Sequence, residues 1–433
     1  MRFFYRDDVP APRRSCSRRS VVPGLLLVAA LIAVACSSDD DAAPDTTTET
    51  TTTTTEPPSE GDGELVIGVL LPTTGPGAQL GQPMIGAVRL AVERINEAGG
   101  VLDEPVRLVE VDEGATVSSA TTGFETLLDE GVDAIVGPAS SLAALGALDV
   151  PVSAGVLTCS PTATSLLLDD FPDNGLFFRT APSDSLQAVA IAQVAEQTGT
   201  PSVSIFFIDD AYGRGLTDAI ESSVEARTMS VRHRVGVPVG ESEIAPYARE
   251  VLADEPNVVV VIGDADAGSR MLAALGDESA TWTPSLILVN DAVRAARSSQ
   301  RIVDLPDDVR ERIQGVAPLS APPETENFTG AYSAHAYDCV NLIALAALQA
   351  GSDAPGRIAT QMSSVSVGGS VCRSFSSCAD RIAEGLQLDY NGVSGELNLS
   401  TRGDPRRARF EIFTFEEDGS DASNGLVLEV SSI

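Results

Sequence analysis

The residues best placed to do chemistry are hydroxyl-rich and acidic turns that follow short apolar runs. After Val136 come Gly137-Pro138-Ala139-Ser140-Ser141, and after the next apolar run come Cys159-Ser160-Pro161-Thr162-Ala163-Thr164-Ser165. Hydroxyls and backbone N–H groups at a helix start suit an anion such as a carboxylate. The same residues are also ordinary helix N-caps, but two such turns from neighbouring strands favour the anion cradle. After Ile208 comes Asp209-Asp210-Ala211-Tyr212-Gly213-Arg214-Gly215, where a tyrosine beside glycine can lie over a ligand or simply pack. Gly263-Asp264-Ala265-Asp266 follows Ile262, and Asn290-Asp291 follows Val289. Acids at those ends can receive a cation opposite the hydroxyls.

Covalent catalysis has little to work with. The histidines are His233 and His335 alone, and there is no G-x-S-x-G, no H-E-x-x-H and, without lysine, no phosphate-binding G-x-x-x-x-G-K-[ST] loop. Neighbouring acids such as Asp209-Asp210 tend to diverge rather than pair. A binding protein without metal or cofactor is expected, not an enzyme. With 28 basic residues, all arginine, against 62 acidic ones, the net charge is −34. Such a chain is repelled by phosphate backbones, which excludes nucleic-acid binding.

The turns need strands and helices to position them, and the chain alternates the two. Leu65 to Leu71 is a continuous apolar run, as for a strand covered on both faces. Met84, Ala87, Val88, Ala91, Val92 and Ile95 then follow at helical spacing, and Gly99-Gly100 ends the helix. Strands are predicted at 106–111, 132–136, 203–208, 258–262 and 286–289, with helices at 118–129, 186–197, 214–226 and 331–350. Successive βα units imply parallel sheets with helices on both faces, and two sets of them imply two lobes. In such sheets ligands sit beyond the carboxyl ends of the strands, where the turns above lie.

The first 63 residues read differently. Arginines 2, 6, 13, 14, 18 and 19 precede an apolar run from Val21 to Ala35, too short for a spanning helix and suited to a signal peptide. Ala33-Val34-Ala35-Cys36 resembles a bacterial lipobox, in which Cys36 is acylated; an ordinary secretory signal is the alternative. Residues 37–63 are Ser, Asp, Thr, Glu, Pro and Gly with almost nothing apolar, which predicts a flexible tether reaching roughly 30 Å. Cys372 and Cys378 read as a short-loop disulfide in an oxidising compartment. Cys159 and Cys339 read as small buried apolar groups, with a bridge between them left open.

Several of these motifs, in order, resemble the leucine/isoleucine/valine-type periplasmic binding proteins, the substrate-binding subunits of ABC importers. They are Ile67-Gly68-Val69-Leu70-Leu71-Pro72-Thr73-Thr74-Gly75-Pro76 with Gly81, then Ile95 to Gly100, Val136-Gly137-Pro138 and Ser160 to Ser165. Tyr212-Gly213-Arg214-Gly215, Ala336-Tyr337-Asp338 and Gly392-Val393-Ser394-Gly395 complete the set. The resemblance implies a type I periplasmic binding protein fold, an α/β architecture of two Rossmann-like parallel-sheet lobes joined by a three-strand hinge. Crossings are then expected near Ala181-Pro182, from Ala317 to Ala321 and from Phe410 to Phe415. The expected boundaries are a leader at 1–35, a tether at 36–63, lobe 1 at 64–181 plus 319–411, and lobe 2 at 182–318 plus 412–433.

The resemblance also implies roles. Ser141, Thr162 and Thr164 would hold a ligand carboxylate, Tyr212 would close over it, and Asp291 would pair with an ammonium. Leu80 and Asp264 stand at the side-chain end, where the family often carries aromatic residues, so a polar or cationic ligand side chain is an alternative to a branched aliphatic one. The expected partners are an amino acid or similar small molecule, ABC permease and ATPase subunits, and the outer face of the cytoplasmic membrane through the lipid. A sensor lipoprotein serving a signalling partner, or a binder of an amide, urea or aromatic acid, is the alternative.

Overall fold

Buried apolar runs set the two sheets. In a computed structural model, which describes residues 61–75, 77–278, 284–319 and 330–431, every residue of β1 (Val66–Leu71) is buried. The expected leader, Cys36 and almost all of the expected tether lie outside the described residues. The first lobe continues through α1 (Ala78–Glu97), β2 (Arg107–Asp112), α2 (Val117–Asp129), β3 (Ala134–Val136), α3 (Ser141–Ala147), α4 (Asp149–Ala154), β4 (Leu157–Ser160) and β5 (Phe177–Arg179). Its strands are all parallel, in the order β2-β1-β3-β4-β5. The residues at helical spacing in α1, from Met84 to Ile95, form its buried face.

The chain then enters the second lobe with α5 (Asp184–Gln197), β6 (Ser202–Asp209), α6 (Ala211–Glu225), β7 (Ser230–Pro238), α7 (Ala245–Val251), β8 (Val258–Ile262), α8 (Ala265–Asp277) and β9 (Leu286–Asn290). Two short helices, α9 (Gln300–Val303) and α10 (Asp307–Arg310), precede β10 (Ile313–Pro318). The chain returns to the first lobe as α11 (Ser333–Ala350), α12 (Pro355–Met362), β11 (Ser370–Cys372), α13 (Phe375–Ala383) and β12 (Leu388–Tyr390), and ends in the hairpin β13 (Arg407–Phe415) and β14 (Asp421–Ser431). The second sheet runs β14-β13-β10-β9-β8-β6-β7, parallel except for the hairpin, whose β13 is antiparallel to β10. Both faces of each sheet carry apolar cores.

Three features differ from the sequence reading. The edge strand β7 was not expected, because only Val235 and Val237 bury while its other residues are exposed or half-buried, and it gives no apolar run. The hairpin was not expected as part of the sheet either. The third crossing lies before Arg407 rather than at 410–415, so a first-lobe segment ending at 411 would cut β13 in half. The physical reason is packing: Phe410, Ile412, Phe413 and Phe415 all bury in the two second-lobe cores.

Helix α11 is the element that locks the first lobe. It is buried on nearly all sides, and its Asp338 carboxylate accepts hydrogen bonds from the Tyr390 hydroxyl at 2.7 Å, the N–H groups of Val393 and Ser394 at 3.0 and 2.7 Å, and the Ser394 hydroxyl at 2.5 Å. A Cβ on Gly392 would stand 2.3 Å from that carboxylate, so only glycine fits. Thus two sequence motifs 55 residues apart are one structure. A disulfide joins Cys159 at the end of β4 to Cys339 in α11, with Cα atoms 5.8 Å apart, and a second joins Cys372 to Cys378.

The first bridge closes a loop of 180 residues, for which chain entropy predicts about 5 kcal/mol against about 2 kcal/mol for the short one. Replacing Cys159 and Cys339 together by alanine should therefore lower the urea midpoint well below that of the Cys372/Cys378 double alanine variant. Equal midpoints would show that the long bridge adds nothing to the packing of α11.

Candidate functional site

The turns after the strands of both lobes meet at one acidic corner. Asp291 follows β9, and its two oxygens are held from opposite sides: Gln187 Nε2 of α5 donates to Oδ1 at 2.8 Å, and the Tyr332 hydroxyl donates to Oδ2 at 2.6 Å. Tyr332 belongs to the first lobe, just before α11, so this bond spans the two lobes. Tyr212 sits in the first turn of α6, where its hydroxyl accepts from Asn290 Nδ2 at 2.8 Å; Asn290 Oδ1 in turn accepts from the Gly263 N–H at 3.1 Å. Asn290 is fully buried and so fixes three strand ends at once.

A second acid joins the first. Asp184, at the start of α5, is 1% exposed and its Oδ1 has no hydrogen-bond partner among the described residues. Burial, then the neighbouring Asp291 charge, pushes its pKa well above the usual carboxylate range, while the Thr164 hydroxyl opposes this. The Asp184 N–H donates to the Thr164 carbonyl at 2.9 Å. Burial and the same two acids also raise the phenols of Tyr212 and Tyr332 well above their ordinary value. The corner thus gathers two acids and two phenols in a buried place.

The first-lobe wall is built from hydroxyls. The Thr162 hydroxyl donates to the Ala139 carbonyl at 2.5 Å, and the Ser160 hydroxyl donates to the Pro138 carbonyl at 2.6 Å and accepts from the Ala163 N–H at 3.0 Å. Ser140 is the N-cap of α3, and Ser141 beside it accepts weakly from the Ser165 N–H at 3.4 Å. Behind this wall stands Arg179, fully buried, which donates to the carbonyls of Ala163 and Ser165 at 3.1 Å each, to Asp404 at 2.6 Å and to Asp169. The first loop of the lobe is set by Asp112, which accepts from the Thr73 N–H at 2.7 Å and the Thr74 hydroxyl at 2.5 Å.

The anion cradle expected after β3 is filled from within. The N–H groups of Ala139 and Ser140 donate to the Glu113 carboxylate at 2.7 and 2.9 Å. Those donors shape the turn rather than waiting for a ligand. Gly137 is required there, since a Cβ would lie 2.0 Å from the Leu70 carbonyl oxygen.

Of the residues singled out from sequence, Thr164, Tyr212 and Asp291 are drawn into one cluster through Asp184 and Asn290. Ser141 and Thr162 line the same first-lobe wall. Leu80 packs half-buried against the first-lobe core. Asp264 is an exposed N-cap that accepts from the Ala267 N–H at 2.8 Å, which accounts for it without a ligand. Asp184, Gln187 and Tyr332 were missed, and Asn290 was noted only as part of the turn after Val289, without a role; Tyr332 had a faint signal, standing just after Gly330.

A profile of the family described as periplasmic binding protein matches residues 64–289. The chemotactic signal transduction system substrate-binding protein BasB of Halobacterium salinarum is 30% identical over 367 residues, 79% of this chain and 84% of that protein. A Leu/Ile/Val-binding protein of Rhizobium johnstonii is 29% identical over 223 residues, 51% of this chain but only 60% of that protein's length. An ABC transporter substrate-binding protein of Desulfitobacterium hafniense, solved in complex with Leu, superposes with a TM-score of 0.65 at 22% identity, over 83% of this chain and 99% of that one.

The Glu113 clamp has a testable pH signature. Burial, opposed by its two N–H donors, pushes its pKa from 4.5 up to about 7. An acid whose pKa is raised on folding contributes stability below pH 4.5 and loses it as pH rises through 7. A rise of that size corresponds to at most about 3 kcal/mol. Glu113→Gln should flatten the fall in unfolding free energy between those pH values. An unchanged slope in the variant would mean that Glu113 ionises freely in the fold.

Proposed function

The chain belongs to the periplasmic binding protein family, a family of substrate-binding proteins rather than enzymes, and on that premise we propose that it captures an α-amino acid outside the cytoplasm for an ABC importer. The observation that carries this reading is Asp291, held at the end of β9 between Gln187 and the Tyr332 hydroxyl of the opposite lobe. An α-amino acid presents opposite charges on one carbon. Its ammonium would pair with Asp291 under Tyr212, and its carboxylate would meet the hydroxyls of Ser141 and Thr164 and the backbone at Thr162. One lobe supplies the acid and the other the hydroxyls, so both sets of contacts exist only in the closed form. Affinity is thereby tied to hinge closure, which is the signal a permease would read.

In this reading lobe 1 comprises residues 64–181 with the segment from 319 to the strand start at Arg407, and lobe 2 comprises the rest of the folded chain. Asp264 is not retained as a ligand group, because its capping bond at the start of α8 explains it. The D. hafniense protein was solved with Leu, which supports a branched-chain or related side chain. The name of the H. salinarum relative, a chemotactic signal transduction protein, favours a second reading in which the occupied form addresses a signalling partner. Acylation of Cys36 would hold the domain on the outer face of the membrane through the tether in either case.

Thermal unfolding against amino acids, amides, urea and aromatic acids tests the ligand. A ligand at 1,000 times its dissociation constant adds about 4 kcal/mol, a shift of several degrees. One α-amino acid should produce that shift, and Asp291→Ala should weaken its binding by about 2–5 kcal/mol, with a smaller loss in Ser141→Ala. A folded sample that responds to nothing but an amide, urea or aromatic acid would overturn the amino-acid reading. Fractionation tests the anchor: the protein should partition with membranes, and Cys36→Ala should release it. Equal partitioning of both would remove the lipid from the account.

A further inference from the structure

A cavity of about 480 Å³ lies at the hinge, apart from the acidic corner. Its walls come from the first crossing at Thr180 and Pro182, from α11 at His335, from the third crossing between Asn391 and Arg409, and from the end of β14. That volume is within the range of small-ligand sites. Both lobes contribute, since His335 and Asn391 belong to the first and Arg409 to the second.

Cations outnumber anions on the lining, three to two. In a chain of net charge −34, Arg373, Arg407 and Arg409 line this one cavity together with Glu396 and with Glu429, the ladder partner of Arg409 across β13 and β14. Arg407 is paired with Glu396 at 3.5 Å on the exposed rim. The half-buried Arg409 guanidinium makes no ion pair or side-chain hydrogen bond among the described residues. Two lining residues, His335 and Asn391, each carry a buried side-chain atom, Nδ1 and Oδ1, without a hydrogen-bond partner among the described residues. Burial pushes the His335 pKa down to about 4, so the ring is a neutral hydrogen-bonding group at neutral pH. An unmade hydrogen bond at a buried polar atom is a penalty that a fitting ligand removes. Asn391 Oδ1 accepts only, so the ligand must bring a donor as well as an anion.

We propose that this hinge cavity is a second binding site, for a small organic acid that carries a hydroxyl or other donor beside its carboxylate, and that its occupancy regulates closure. The carboxylate meets Arg409, with Arg373 at the mouth, and the donor meets Asn391. Because both lobes form the walls, the acid binds the open and closed forms unequally. It then changes affinity in the cleft by the same factor by which the cleft ligand changes affinity for it. The physical link is short: His335 contacts Tyr332, ring centroids 5.4 Å apart, and Tyr332 holds Asp291.

The site stands independently of what the cleft binds. Titration calorimetry of the purified protein with malate and citrate, and with succinate as the acid lacking a hydroxyl, tests it. Malate or citrate should bind and succinate should bind at least tenfold more weakly. Arg409→Gln should weaken malate or citrate at least tenfold, as should Asn391→Asp, which adds a negative charge with no change in size. Asp291→Ala, which cuts the link through Tyr332, should leave the heat present and shift the affinity less than either hinge variant does. No heat with any of the three acids, or heat that survives in both hinge variants, overturns the proposal. Heat lost only in Asp291→Ala would assign the acid to the cleft and overturn it equally.

Discussion

The buried guanidinium of Arg179 is the interaction on which the arrangement of the two lobes rests. It ends β5, immediately before the chain first crosses the hinge, and it is fully shielded from water. Burying a cation is expensive unless its donors are met. Here two carboxylates and two carbonyls meet them. The carbonyls belong to the hydroxyl turn after β4, and Asp404 belongs to the stretch leading into β13. Asp169, the second carboxylate, also accepts from the Ser183 hydroxyl that caps α5. One side chain therefore fixes a wall of the site, the departure of the first crossing and the arrival of the third.

The acidic corner works by the opposite principle. Asp184 and Asp291 are two carboxyls in a poorly hydrated place, and burial, then the Asp291 charge, raises the Asp184 pKa well above the usual range. The neighbouring groups are phenols and amides, which orient without neutralising. A site left one cation short is suited to a ligand that brings the cation with it. The wall across from it presents hydroxyls, with the Glu113 carboxylate held by the N–H groups of Ala139 and Ser140.

Much of this was legible in the sequence, and the limits have physical causes. The strands β1, β8 and β9 are buried throughout and read as apolar runs, and α1 buries the face its spacing defines. The edge strand β7 and the hairpin of β13 and β14 are covered on fewer sides and lack that signal. The turns were found because chemistry concentrates at strand ends. Glu113 was not recognised as the occupant of the N–H groups after β3, because its backbone partners lie 26 and 27 positions along the chain. Tyr332 and Asp184 matter only through contacts that the fold creates between lobes. The pairing of Cys159 with Cys339 could not be chosen from sequence, since nothing local brings positions 180 apart together.

Helix α11 is where these threads join. The bridge to Cys159 and the Asp338 network fix it to the first lobe, so it cannot follow the second lobe when the hinge moves. Yet Tyr332 at its start, held at a backbone φ of 62°, reaches across to Asp291. A rigid helix with a strained residue at its tip delivers a hydroxyl to a fixed point, and the second lobe must bring its acid to that point. In the proposed mechanism, opening the hinge would break this bond and expose Asp291. Under that proposal, closure would be specified by geometry from the first lobe and by charge from the second.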